Sequence, residues 1–280
     1  AQSQAGDYYT QAMVDTIRQN LGLNASLPVQ YFNWLKGMVT LDWGTSLYSA
    51  LGVWQSFKEK MPLTLELMTL SITLSTLIGL PLGIIMALKQ DTWIDYVARV
   101  FSLGGLSIPN FWIATMLLAG GLYLLGWSPR LEYRPLWEDP LANMSMFMWP
   151  ALIVGYSSAA TKARMMRSTM LEVLRQDYIR TAHAKGLRNF VVIYRHALKN
   201  AMLPVITMIG ISIAGIISGS VIMERIFALP GVGNYLVEGM NYRDYPVVQT
   251  VILVYALWTV LINLMVDLSY GLLDPRIQYK

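Results

Sequence analysis

Few residues in this 280-residue sequence could do chemistry, and the missing types narrow the options first. There is no cysteine, which removes disulfides, thiolate metal sites and thiol catalysis together. Two histidines, His183 and His196, leave little for a histidine-built metal centre. No glycine is followed directly by lysine, so a phosphate-cradling P-loop is excluded, and neither G-x-S-x-G nor H-E-x-x-H occurs. Glu132, Glu138 and Asp139 alternate with Arg130 and Arg134, a pattern that reads as solvated surface. What is left is electrostatic. The stretch 162–200 holds nine of the 21 Lys and Arg residues and both histidines. Such a segment can hold anionic lipid headgroups or dock into a partner's groove.

The elements that must position this stretch are membrane helices. Apolar residues make up 55% of the chain and charged ones 14%, with a mean hydropathy of +0.43, which excludes a freely soluble protein. A bilayer core of roughly 30 Å needs about 20 apolar residues as helix. Four blocks supply them: Leu63 to Leu88, Val100 to Gly126, Ala201 to Met223 and Val247 to Val266. A fifth and weaker block, Met144 to Ala163, is expected to run on as helix into the basic stretch. The blocks are too long for barrel strands and do not alternate. The expected fold is an all-α polytopic membrane protein with five visible spans.

Charge sorts the connecting segments into two sets. Residues 1–62, 127–147 and 224–246 carry eight basic and ten acidic side chains. Residues 89–99, 162–200 and the tail after Asp267 carry thirteen basic and five acidic ones, and the positive-inside rule assigns that set to the cytoplasm. The segment 1–62 then lies outside with no signal-peptide pattern, so a sixth, upstream span is expected. Glu66 and Asp267 sit near block ends, within reach of water or headgroups. No charge is expected at mid-membrane, which argues against a proton pump or ion-coupled transporter. Gly79 and Gly83, Gly215 and Gly219, and Gly210 and Ala214 are spaced for close helix packing within one bundle. Pro81, Pro109, Pro150 and Pro204 fall in or near spans.

Within the basic stretch, Met170 to Ala184 is helix-permissive, and Gly186 after Lys185 reads as a C-terminal turn. From Phe190 a helical pattern resumes, with Ile193, Ala197 and Ala201 on one side and Arg195, His196 and Lys199 on the other. The second helix leads straight into a span at Leu203-Pro204. A glycine turn between two short helices, tied to a span, suits groove docking better than headgroup binding alone.

The run Arg180-Thr181-Ala182-His183-Ala184-Lys185-Gly186-Leu187, followed by Arg195-His196 and Leu203-Pro204, resembles the EAA loop of binding-protein-dependent ABC importer permeases. The branch it resembles is the oligopeptide/dipeptide/nickel family, B-type subunit. Asp42-Trp43-Gly44-Thr45-Ser46, Leu106-Ser107-Ile108-Pro109-Asn110, Phe227-Ala228-Leu229-Pro230-Gly231-Val232-Gly233 and Asp274-Pro275-Arg276-Ile277 are similar to further family segments, covering nearly the whole chain. Arg180-Thr181-Ala182 replaces the acidic motif that names the loop.

The resemblance implies a type I importer transmembrane domain over 63–273 in the inner membrane, an external segment 1–62 and a cytoplasmic tail 274–280. It implies a second related permease, two ATPases that bind ATP and Mg themselves, an external binding protein and no nucleic acid. This chain would have no catalytic residue or cofactor of its own, and the run Arg180 to Leu187 with Arg195, His196, Leu203 and Pro204 would form the ATPase-coupling loop, with Leu203-Pro204 as the rigid link that turns the spans. Peptides are the expected cargo. Nickel or another small solute, an ATP-independent facilitator and an inactive assembly subunit are the alternative readings.

Overall fold

The computed structural model describes residues 22–130 and 132–273, together with Asp15, Arg18 and Gln19. The tail 274–280 with its Asp274-Pro275-Arg276-Ile277, and most of the first 21 residues, lie outside the described residues. The named elements of the described chain are all helices, in the order α1 (Leu27–Thr40), α2 (Val53–Leu88), α3 (Trp93–Ser107), α4 (Asn110–Leu125), α5 (Pro140–Leu174) and α6 (Asp177–Ala184). There follow α7 (Asn189–Val191), which runs through a π-helical segment Val192–Ala197 into α8 (Leu198–Ile226), then α9 (Val232–Asn241) and α10 (Tyr245–Leu273).

Among the described residues, three elements are long and apolar enough to cross a bilayer: α2, the helix running on from Asn189, and α10. The uncharged block Val100 to Gly126, expected as one span, is instead a bent pair. Here α3 and α4 meet at 96°. Pro109 is the reason: it excludes helical geometry from the residue before it. Ile108 (φ −93°, ψ 122°) and Pro109 (φ −62°, ψ 135°) are both extended. Pro81, Pro150 and Pro204 lie inside continuous helices. As expected, α5 does not stop at Ala163 but continues to Leu174. Its start is fixed by Asp139, whose carboxylate accepts from the Ala142 N–H at 3.0 Å, with Pro140 at the first helical position. One member of the acidic surface group is thus a helix cap.

Lipid tails are as apolar as leucine, so helices in a bilayer associate by close packing and not by hiding from water. The glycines do this within the chain. A Cβ on Gly79 would stand 2.7 Å from the Ala159 carbonyl, and one on Gly83 would stand 2.5 Å from that of Ala163, so α2 and α5 touch backbone to backbone. Gly210 instead receives the side chain of Val266 of α10, whereas Gly215 faces open space. A central cluster that includes Leu63, Leu67, Phe147, Val154, Ile217 and Phe227 joins α2, α5 and α8.

The described parts of the two charge-sorted sets of segments occupy opposite ends of this bundle. At the acidic end, Glu66 accepts from the Tyr133 hydroxyl at 3.0 Å and the Asn143 amide at 2.7 Å, bracing α2 against α5. Burial, and then Glu66, push the Tyr133 phenol up to about 12, so it stays a donor. The Ser46 hydroxyl donates to Asp244, tying the loop before α2 to the turn before α10. Glu224, counted in sequence as a loop charge, is fully buried. It accepts from the Thr64 hydroxyl at 2.8 Å and from the Asn234 N–H, at the start of α9, at 3.0 Å.

One expectation is overturned. Lys162, assigned to the basic loop, is fully buried between α2 and α5, and its ammonium donates to Ser75, at the middle of the apolar run of α2. The packed interior of the bundle therefore does hold an ionisable side chain. Beside this pair on the same helices, the hydroxyls of Thr76 and Ser158 are buried without partners among the described residues.

Candidate coupling site at the basic end of the bundle

The basic stretch is built outward from α5. The single helix expected over Met170 to Ala184 is broken at Arg175 and Gln176, and α6 starts afresh at Asp177. No glycine or proline forces that break, and packing supplies the cause. Turning the chain brings Ile179 and Ala182 of α6 against Met166 and Met170 of α5 and Val192, Ala197, Ala201 and Val205 of the following helix. A straight continuation would leave Ile179 in water, whereas here it is 2% exposed. Burying a side chain of this size is worth about 1.5–3 kcal/mol. The cluster also takes in Ala87 of α2, so the short helix shares one apolar core with three long ones.

Gly186 closes α6. Its φ is +76°, its N–H bonds the His183 carbonyl at 2.9 Å, and the Leu187 N–H bonds the Ala182 carbonyl at 3.3 Å. That pair of bonds is a Schellman turn, which needs a left-handed residue at this position. Beyond it the chain re-enters helix at Asn189 and runs into the π-helical segment, a rare widened turn frequent at functional sites.

The candidate residues divide. Arg180, Thr181, His183, Ala184, Lys185, Gly186 and Leu187 are all exposed, on one side of α6 and its turn. Ala182 is a correction: at 6% exposure it faces the apolar cluster and anchors the helix, and does not form part of the outer surface. Arg195 is exposed in the π-helical segment and His196 is half-buried there. Leu203 and Pro204 lie about two helical turns further along, on the way into the span. They are not brought onto the surface that Arg180 to Leu187 form.

Other residues of the site escaped sequence reasoning. The Tyr178 hydroxyl accepts from the Asn200 amide at 2.8 Å, linking α6 directly to the base of α8. The rings of Phe190 and Tyr194 meet at a tilt of 36° with centroids 4.4 Å apart and stay exposed beside the basic residues. Asp95, fully buried, takes two bonds of 3.0 Å from the Arg167 guanidinium and others from Arg99, locking α3 to α5 just above the site. Ile179 had a visible signal, an isolated aliphatic residue three places before Ala182 in a polar run. The Asp95 lock had none, because its partner is 72 residues away.

The arrangement has the form of a mechanical part. An exposed surface carrying cations and aromatic rings sits on a short helix, and that helix is fastened by an apolar cluster, a glycine turn and a tyrosine–asparagine bond to the ends of long helices. Comparison with known proteins gives the family. Residues 79–279 match the family described as binding-protein-dependent transport system inner membrane components, and residues 1–69 match the N-terminal part of such components. The dipeptide transport system permease protein DppB of Alkalihalophilus pseudofirmus is 38% identical, over 100% of this chain and 90% of its own length. DppB of Bacillus subtilis is 40% identical over 91% of this chain and 81% of its own. The glutathione transport system permease protein GsiC of Pectobacterium atrosepticum is 35% identical over 99% and 88%. Among solved structures, the inward-facing MetNI methionine ABC transporter superposes with a TM-score of 0.62 at 17% identity, over 78% of this chain and 96% of that one. The chain belongs to the family of binding-protein-dependent ABC importer permeases, inner membrane proteins, and has their type I transmembrane fold.

Proposed function

We propose that this chain is one of two related permease subunits of an ATP-driven peptide importer, and that α6 with its Gly186 turn is the lever through which two ATPases move it. Three of the relatives' names, dipeptide twice and glutathione once, support peptides as cargo. The charge asymmetry supports an orientation with the α6 end in the cytoplasm and the Glu66–Glu224 end outside, where an external binding protein would deliver substrate. Exposed Arg180, His183, Lys185 and Arg195 would meet the ATPase surface. The chain has no P-loop, and ATP and Mg belong to that partner.

The observation that carries the reading is the buried underside of α6. A surface free to bind but loosely attached could not transmit force. Ile179 and Ala182, packed on α5 and on the helix leading into α8, make displacement of α6 a displacement of the spans. Packed interfaces of this kind switch between discrete arrangements and do not deform smoothly.

The absence of cysteine makes the test clean. Cysteines placed singly at Thr181 and His183 are expected to cross-link to the cognate ATPase in membranes, with a yield that changes when ATP is added. A cysteine at Tyr48, at the other end, is expected not to. Cross-linking from Tyr48 but not from Thr181 or His183 would refute both the orientation and the lever.

A further inference from the structure

We propose that the α6 end of the bundle holds one anionic phospholipid of the adjacent leaflet, its phosphate at Arg164 and an acyl chain in the slot between α3, α5 and α8. A cavity of about 580 Å³ opens there, within the size range of small-molecule sites. Its lining combines two chemistries. Arg99, Arg164, Arg167 and Ser168 supply cations and a hydroxyl, and methionine and leucine side chains, Leu103, Leu106 and Met208 among them, supply apolar surface. That is the chemistry of a charged head on an apolar tail.

The charges are not balanced from within. Arg99 and Arg167 are both turned toward Asp95, and Arg99 also reaches Asp91 at 3.2 Å. Arg164 meets no carboxylate among the described residues, although it lies on the same helix one turn before Arg167. The level is marked independently. At the start of α3, Trp93 is 74% exposed and Tyr96 is 54% exposed beside the Arg99 guanidinium, which lies 5.1 Å from its ring. Exposed tryptophan and tyrosine at a helix end mark the headgroup layer. Beyond them the apolar side chains of Val97, Val100 and Leu103 are exposed, as a flank in contact with acyl chains would be. Basic pockets between helices on the cytoplasmic side are where anionic headgroups are held. A peptide carboxylate would find the same cations. The tyrosine–tryptophan marker and the exposed flank of α3 favour the lipid.

The site depends on the orientation and not on the cargo, and retention is read on the permease complex before any transport is measured. The complex, purified from bilayers containing phosphatidylglycerol and phosphatidylethanolamine, is examined by native mass spectrometry. Wild type is expected to keep phosphatidylglycerol. Arg164→Gln is expected to keep about fivefold less, the effect of one cation near a charged surface, and Arg164→Lys to restore it. Inorganic phosphate and glycerol 3-phosphate, which lack the chain, are expected not to displace the lipid. Equal retention by wild type and Arg164→Gln would overturn the proposal. So would displacement by inorganic phosphate, which would make this a site for a soluble anion. An Arg164→Gln complex with unchanged lipid but altered preference between free and amidated peptides would overturn it as well, by assigning the slot to substrate.

Discussion

Gly186→Val is expected to lower ATP-driven uptake by at least tenfold while leaving the amount of permease in the membrane unchanged. The residue sits at φ +76°, and nothing lies within 4 Å of the position its Cβ would take, so space is not the obstacle. The backbone is. A non-glycine residue pays roughly 1–2 kcal/mol in the left-handed region, and a β-branched one more. Valine therefore relaxes the turn, and the two bonds that close it, Gly186 to His183 and Leu187 to Ala182, go with it. The exposed surface on α6 then loses its fixed relation to the helix entering the membrane. Because the cost is purely conformational, substitutions should rank by tolerance of that region: asparagine close to wild type, alanine intermediate, valine worst. Uptake into right-side-out vesicles loaded with ATP, normalised to permease content, gives the order. Equal uptake by the glycine, alanine and valine forms would make Gly186 an ordinary helix end and remove the turn from the mechanism.

The second large effect is expected at the opposite end of the molecule. Glu224→Ala should destabilise the permease by about 3 kcal/mol, within the cost of removing one partner from a buried, hydrogen-bonded charge. The carboxylate is closed in on every side. Thr64 donates to it, and Thr64 in turn accepts from the Val232 N–H at 2.9 Å, while the Asn234 N–H reaches the other oxygen. Gly231 and Gly233 lie against it, and a Cβ on Gly233 would also stand 2.7 Å from the Val221 Cα. The N-terminus of α9, a natural seat for negative charge, is thus occupied by a side chain of the preceding helix. Alanine leaves those donors buried without an acceptor. The melting temperature of the purified complex should fall by roughly 5–10 °C. Gly233→Ala should do the same by steric means, since the neighbouring backbone of α8 cannot move aside like a flexible side chain. A melting temperature within a degree of wild type for both variants would show that this brace carries no weight.

These two sites differ in how far the sequence reveals them. Gly186 is legible because a glycine after Lys185 in a helix-permissive run has few other reasons to be there, and its residue type alone states the backbone requirement. The helical class and the sorting of segments to two ends are legible too, since bilayer length and charge counts act locally along the chain. Glu224 is not. It follows an apolar block and precedes Phe227-Ala228-Leu229-Pro230, where any reader of composition places a loop, and only the return of Thr64, 160 residues earlier in the chain, buries it. Lys162 fails for the same reason. At the end of a weak apolar block it counts as a loop charge until the backbone approach at Gly79 and Ser75 places it inside. Ala182 was grouped with its exposed neighbours because a motif is read as a string, whereas a helix shows only one side of it. The 96° bend is an intermediate case: Pro109 was visible, but an uncharged run of spanning length outweighed it.

Uptake of a radiolabelled dipeptide into liposomes tests the central claim most directly. The permease is reconstituted first by itself and then with its partner permease, the two ATPases and the binding protein. The account predicts no flux from the permease alone. With the full set, it predicts uptake that requires ATP, accumulates peptide against its gradient and disappears when the Gly186→Val permease replaces wild type. Saturable, ATP-independent dipeptide flux through this chain alone would contradict it and make the protein a facilitator.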